Sequence, residues 1–204
     1  MLRVKNRLLA LAIAAEWEAQ KQEILMTDMH LTTLSNTCID NPLSHSKESL
    51  AEALLRFLET DTLCFRSTEP EKLVLLEQQL WDPLLQWFAS RYEVHLSSTT
   101  GLLAAPVPEA TQLVVRRELL SQPLEALVGL SLVSECLKST ILSLALMHRR
   151  VTPEEAVRVS RLETEYQASL WGRFASHEEE EMQLRARVAA ATLFVYLHRD
   201  ASVG

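Results

Sequence analysis

The chain has 204 residues, of which 48% are hydrophobic and 23% are charged, so it can bury a core and is not globally disordered. Its net charge of −7 disfavours binding to nucleic acid or to an anionic membrane surface. With four glycines and no catalytic or dinucleotide-binding motif, it also lacks the loops that usually hold phosphate groups.

Apolar residues recur at three- and four-residue steps along most of the chain, which predicts an all-α protein. In chain order, the predicted helical segments are 4–25, 28–38, 46–59, 69–80, 83–91, 109–120, 122–148 and 153–199, the last with a break near Gly172. Asn41-Pro42 predicts a helix end, because the residue before proline disfavours helix. Asp82-Pro83 predicts a helix start, and Thr152 to Glu155 has the pattern of a capping box.

Two stretches depart from the helical pattern. The string TDTLCFR at 60–66 is rich in β-forming residues and is predicted to be an extended connector. Residues 94–108 contain one glycine and two prolines, which predicts a loop with at most one short strand. Segment 124–147 is apolar on nearly all sides, so we expect a helical bundle packed around it as the central helix.

One acidic residue interrupts an apolar face in the last helical segment. At 100° per residue, this face contains Ala156, Val159, Leu162, Tyr166 and Leu170. Glu163 falls inside the same arc and has no basic residue three or four positions away. Such a carboxylate either bonds a polar group on another helix or meets a group on another protein, and both readings stay open.

The histidines and cysteines do not have the spacing of metal ligands. His30 is not at helical spacing from Cys38 or Asp40. His177 and Glu178 are explained more simply as the start of a solvated helix, where acids suit the helix dipole. We therefore predict no metal site, no cofactor and no catalytic residue.

Seven strings in this order resemble one known family. They are LALAIAAEWEAQ (9–20), MHLTTLSNTCIDNP (29–42), TDTLCFR (60–66), WDPLLQWF (81–88), SRLETEYQ (160–167), WG (171–172) and LRARVAAATLF (184–194). Together they resemble the F(1) complex assembly factor 2 family, whose members chaperone the alpha subunit of the mitochondrial ATP synthase catalytic head. The resemblance covers residues 9–197.

This resemblance implies a chaperone that is not an enzyme. Family members bind the unassembled alpha subunit in the mitochondrial matrix until the beta subunit replaces them. We expect residues 1–8 to be an unmatched start and 9–204 to be the helical chaperone domain, with the family's β-rich N-terminal domain missing. A targeting peptide is not evident, and we expect a monomer that does not insert into membranes.

The resemblance also implies an essential acidic position in SRLETEYQ or just after WG. We predict partner binding at Glu163 first, then at Glu165, Tyr166, His177 and Glu178. Two alternatives stay open: a helical scaffold or adaptor for some other partner, and an enzyme that uses carboxylates and histidine, with Glu163 as a base of raised pKa.

Overall fold

A computed structural model describes residues 2–172 and 175–199. The α-helices of these residues are α1 (Arg7–Glu18), α2 (His30–Asp40), α3 (Lys47–Glu59), α4 (Glu71–Tyr92), α5 (Glu109–Leu120), α6 (Leu124–Leu137), α7 (Thr140–Met147), α8 (Pro153–Ser160), α9 (Leu162–Trp171) and α10 (Ala175–Arg199). Two 3-10 helices lie at Met26–Asp28 and Thr62–Cys64. The predicted all-α bundle is confirmed. No described helix is both long and apolar enough to cross a bilayer.

The predicted central segment forms the core, but as two helices. Every residue of α7 is buried, and α6 packs along α10 in the most extensive helix pairing of the bundle. At Gly129 of α6, an added Cβ would lie 2.7 Å from Val195 Cγ2 and 3.2 Å from the Ala191 carbonyl oxygen of α10. Glycine at this position therefore allows the two helices to come this close.

The prediction of one helix over 122–148 was wrong because the chain breaks between α6 and α7. Lys138 ends α6 with a left-handed backbone (φ 52°), and the Ser139 side chain caps α7. Asp61 lies buried beneath this break and accepts hydrogen bonds from Ser139 Oγ at 2.7 Å and from the Ile141 N–H at 3.0 Å. A distant residue thus stabilises the break, which local periodicity does not reveal.

The predicted break at Asp82-Pro83 was also wrong, since α4 continues through Pro83. Asp82 does not cap a helix there; its Oδ1 lies 2.6 Å from Arg66 Nη2. Trp81 and Phe88 are fully buried on the two sides of the proline, and Trp81 Nε1 donates a hydrogen bond to the Val159 carbonyl oxygen at 3.0 Å. This packing outweighs the one backbone hydrogen bond that proline removes.

The two stretches predicted to be non-helical meet each other. In TDTLCFR, Thr62–Cys64 forms a 3-10 helix, so the predicted extended connector is limited to the residues after it. Phe65 then forms an isolated parallel bridge with Thr99, within the predicted loop 94–108. The Arg66 N–H donates to the Thr99 carbonyl oxygen at 2.8 Å. The single short β-contact that the sequence allows is therefore made here.

A carboxylate from α1 caps α2. Met29, at the start of α2, makes no side-chain capping bond. Glu16 instead accepts hydrogen bonds from the N–H groups of Leu31 at 2.6 Å and Thr32 at 2.8 Å, and from the Thr32 hydroxyl at 2.8 Å. This arrangement suits the positive end of the helix dipole and ties α1 to α2.

The last predicted segment, 153–199, contains one more break than expected. The capping box is confirmed: the Thr152 hydroxyl accepts from the Glu155 N–H at 3.2 Å, and Glu155 accepts from the Thr152 N–H at 2.8 Å. The helix that begins there ends at Ser160, and α9 begins at Leu162. The break near Gly172 is confirmed, since α9 ends at Trp171.

Candidate functional site

An open trough lies on the surface between α2, α6 and α10. Its volume is about 710 Å³. Each helix contributes one face to the trough, represented by His30 and Leu34 of α2, Val128 and Leu132 of α6, and Met182 and Ala186 of α10. We call this surface, together with Met26 from the first 3-10 helix, the α2–α6–α10 trough. Concave surfaces of this size that combine apolar and polar groups are typical of binding sites.

The trough has a buried apolar floor and flexible side chains at its rim. Leu34 and Val128 are buried in the core beneath it. Met26 and Met182, on opposite sides, are 57% and 66% exposed. Methionine is flexible and polarizable, and exposed methionines are common on surfaces that adapt to their partners. The trough can therefore contact an apolar partner without one fixed shape.

The N-terminal half of α10 forms an acidic wall beside the trough. Glu178, Glu179 and Glu180 are exposed, and His177 is half-buried. A smaller cavity of about 300 Å³ contacts both Glu178 and Met182, so this wall continues directly into the trough. Of the residues predicted to bind a partner, His177 and Glu178 thus lie on the trough-forming helix.

The other three predicted residues lie elsewhere, on α9. Glu163 and Glu165 are in its first turn, and Tyr166 is half-buried one turn later. Glu165 Oε1 lies 3.7 Å from Arg161 Nε, an ion pair between residues four apart. None of the three residues lines the trough. The structure therefore divides the predicted site between two consecutive helices.

The predicted apolar face around Glu163 extends onto α9 only as far as Tyr166, which packs against the core. Leu162 is buried, but Leu170 is 59% exposed and Glu163 itself is exposed. The reason is the break at Arg161, where the backbone (φ −100°, ψ 11°) departs from helical geometry between α8 and α9. A single 100° rotation per residue is therefore not valid across residues 153–171.

Glu163 nevertheless has an unusual electrostatic environment. Partial loss of hydration and the nearby Glu77 carboxylate raise the pKa of Glu163. Glu77 is buried and accepts a hydrogen bond from the Ser67 N–H at 3.0 Å. The sequence reading missed Glu77, although its place four residues after Leu73 and four before Trp81 puts it on the apolar face of α4.

A second polar cluster, also missed, surrounds His148. Its Nε2 lies 3.1 Å from the Tyr92 hydroxyl and 3.3 Å from Glu118 Oε1, and its Nδ1 lies 3.4 Å from Arg91 Nη2. The hydrogen bond from His148 lowers the pKa of Glu118, while burial raises the pKa of Tyr92. The sequence offered no signal, because these residues are brought together from α4, α5 and the end of α7.

Metal ligands do not assemble in the part of the chain that the structure describes. Within these ranges, no group of three or more His, Cys, Asp or Glu side chains lies close enough to hold a metal ion. Cys38 and Cys64 are free thiols, and burial raises the pKa of each to about 12. These two thiols are therefore poor nucleophiles at neutral pH.

Comparisons with known proteins agree with this architecture. The sequence model of the ATP12 chaperone protein family matches residues 1–89. The mitochondrial protein atp12 of Schizosaccharomyces pombe is 29% identical over 196 residues, which are 91% of this chain and 67% of the relative.

Solved structures extend the similarity over nearly the whole chain. Two structures of Atp12 from Paracoccus denitrificans, one of them of a point mutant, are each 32% identical to this chain with a TM-score of 0.86. Each match covers 97% of this chain and 84% of the other. A protein of Agrobacterium tumefaciens described as a candidate chaperone is 28% identical with a TM-score of 0.89, over 96% of this chain and 73% of that one. Together with the all-α fold, these similarities define a helical chaperone. The chain belongs to the ATP12 chaperone family.

Proposed function

We propose that this protein is an assembly chaperone for the catalytic head of ATP synthase. It binds the unassembled alpha subunit and keeps it from aggregating until the hexamer forms. Membership of the ATP12 family supports the chaperone role, and the resemblance of the seven strings supports the alpha subunit as the client. The observation that carries the proposal is the α2–α6–α10 trough, an open surface with a buried apolar floor.

The trough has the physical properties that this task requires. A subunit that awaits its neighbour exposes apolar surface, which aggregates unless another protein covers it. An apolar centre with a polar rim is typical of interfaces that form and dissociate. Since a chaperone must release its client, a surface that depends on flexible methionines rather than on a rigid fit suits this role.

We propose two contacts with the client. The first is the trough together with His177 and Glu178 on its α10 wall. The second is α9, where Glu163, Glu165 and Tyr166 form a polar edge. The raised pKa of Glu163 favours a partner that supplies a positive charge, because such a group relieves its repulsion by Glu77.

We further propose that the protein acts as a monomer in the mitochondrial matrix, without a cofactor. The Schizosaccharomyces pombe relative is named as mitochondrial, which supports the organelle. The net charge of −7 disfavours nucleic acid as a partner. The non-enzymatic role is supported by the chaperone names of the relatives.

An aggregation assay tests the proposal. Purified alpha or beta subunit is diluted from denaturant, and light scattering is recorded with and without this protein. We expect the protein to suppress aggregation of alpha and not of beta. Met182→Glu places a carboxylate on the apolar trough and should weaken protection about tenfold. Leu113→Glu changes a leucine of α5 that is also exposed (59%) but lies outside the trough, and should protect normally.

Two results count against the proposal. Equal protection of the beta subunit would remove the client specificity. If the Met182→Glu variant protects the alpha subunit fully, the trough is not part of the binding surface. Circular dichroism and melting curves of both variants serve as folding controls, because both substituted side chains are largely exposed and their replacement should leave the bundle intact.

A further inference from the structure

We propose that the trough binds a helical segment of the client that has a short apolar stripe followed by basic residues. This inference rests on the proposed function and specifies the chemistry of what the trough holds. It combines two independent features of the structure: the arrangement of the helices that form the trough, and the distribution of charge along α10.

The geometry of the trough fits a helix. Its floor on α6 consists of Val128, Ser131, Leu132 and Glu135, which are spaced i, i+3, i+4, i+7 and share one helix face. Such a face is about 10 Å long at 1.5 Å per residue, or two helical turns. The α2 wall, from His30 to Thr37, has the same spacing. The α10 wall consists of Met182, Gln183, Ala186 and Arg187, which are spaced i, i+1, i+4, i+5 and also share one helix face. Three helices that surround an open side present the groove of a bundle that lacks one helix, and an amphipathic helix can occupy it.

Small side chains allow that helix to come close. Ser131 lies on the floor, and Thr33 and Ala186 lie on the two walls. Helix axes pack 8–10 Å apart depending on the side chains at the contact, and small residues give the shorter separations. Met26 and Met182 at the rim then adjust to the apolar side chains of the client.

The charge at one end of the trough selects basic residues. Glu178, Glu179 and Glu180 are exposed just before Met182, and none of them takes part in an ion pair with another described residue. Glu181, by contrast, is paired with Arg185. Acids at the start of a helix stabilise it through its dipole, but they keep their negative charge toward solvent.

The charged residues inside the trough do not oppose the preference for basic client residues. Arg187 lines one wall and Glu135 lies on the floor, so their opposite charges offset each other. Asp28 adds a further negative charge on the side of the first 3-10 helix. Lys or Arg residues at the α10 end of the client helix therefore meet complementary charge, which increases specificity and the rate of association.

The test uses synthetic peptides of about 14 residues with identical apolar stripes, labelled for fluorescence anisotropy. One peptide ends in three lysines, the second ends in three glutamates, and a third repeats the lysine peptide with a central proline that prevents helix formation. We expect the lysine peptide to bind about tenfold more tightly than the glutamate peptide at low salt, because several weak exposed ion pairs act together. High salt should reduce this difference.

Variants of the protein locate the binding. Met182→Glu should lower the affinity for the lysine peptide about tenfold, whereas Leu113→Glu should leave that affinity unchanged. Replacing Glu179 and Glu180 by lysine should reverse the preference between the lysine and glutamate peptides. Equal binding of these two peptides, full binding of the proline peptide, or binding unaffected by Met182→Glu would each overturn the inference. So would binding of a small apolar dye alone, with no binding of any peptide.

Parallel binding of the intact alpha subunit separates this inference from the proposed function. If the alpha subunit binds, and Met182→Glu weakens it, while the peptides show no charge or helix preference, the client chemistry is wrong and the chaperone role stands. If the peptides behave as expected but the alpha subunit does not bind, the trough chemistry stands and the identity of the client is wrong.

Discussion

At the scale of single residues, the surroundings of the acidic groups are the most informative property of this protein. The sequence reading selected Glu163 because it interrupts an apolar pattern, and the structure places it beside a second carboxylate, Glu77. The predicted apolar face was partly wrong, since it continues past Arg161 to Leu162 and Tyr166 but does not include the exposed Leu170. The same reasoning applied to α4 would have identified Glu77, a buried acid between Leu73 and Trp81.

Glu163→Gln separates partner binding from folding. Removal of the charge also removes its repulsion by Glu77, so we expect the melting temperature to remain nearly unchanged. Affinity for the alpha subunit should fall about threefold to tenfold if Glu163 meets a basic group of the client. Isothermal titration calorimetry and a melting curve measure the two quantities.

The matched control for that variant is Glu109→Gln, which also neutralises an acid in the first turn of a helix. Both substitutions lose the same favourable interaction with a helix dipole, so any difference between them reflects the position. Unchanged affinity in Glu163→Gln would exclude this residue from the binding surface and leave α10 as the remaining acidic contact.

At the scale of helices, local sequence predicts where helices occur better than where they end. The capping box at Thr152 and the end at Asn41 were found because their signals are local. The end of the first helix was also misplaced, since α1 ends at Glu18 and not near residue 25. Three breaks between helices were misjudged, two of them for non-local reasons. Packing around Trp81 carries α4 through Pro83, and Asp61 stabilises the break after Lys138. The break at Arg161 has no signal in the spacing of apolar residues.

Asp61→Asn tests how a connector organises α7. The Asp61 carboxylate accepts hydrogen bonds from the Leu63 and Ile141 N–H groups and from Ser139, at distances between 2.7 and 3.1 Å. An asparagine amide keeps one acceptor oxygen but turns an NH₂ group toward one of these donors. We expect a loss of about 1–3 kcal/mol in the free energy of unfolding at neutral pH, measured by urea denaturation.

The pH dependence of the stability difference between the parent protein and Asp61→Asn tests the burial of Asp61 separately. Burial, although opposed by the hydrogen bonds, raises the pKa of Asp61 to about 6 from 3.8. Between these values the folded protein holds a proton that the unfolded chain has lost, so the Asp61 contribution to stability falls as the pH rises from about 4 to about 6. The stability advantage of the parent over Asp61→Asn should therefore shrink across this window. A constant or growing difference would contradict the assigned burial.

At the scale of the whole molecule, the class of fold could be predicted but the surface could not. The apolar period and the low glycine content were sufficient for an all-α bundle with segment 124–147 at its centre. The trough combines residues from three helices that are far apart in the chain, so no local pattern predicts it. Met26 and Met182 illustrate the point, because each is unremarkable within its own segment.

We propose above that the α2–α6–α10 trough holds the unassembled alpha subunit. Hydrogen–deuterium exchange of this protein, alone and with the alpha subunit, tests it most directly, because amide exchange reports where a partner covers and orders the backbone. We predict slower exchange at residues 26–33 and 177–187 in the complex, with no change at α5. Protection confined to α5 or to the loop 94–108, or no protection on binding, would show that the trough does not hold the alpha subunit.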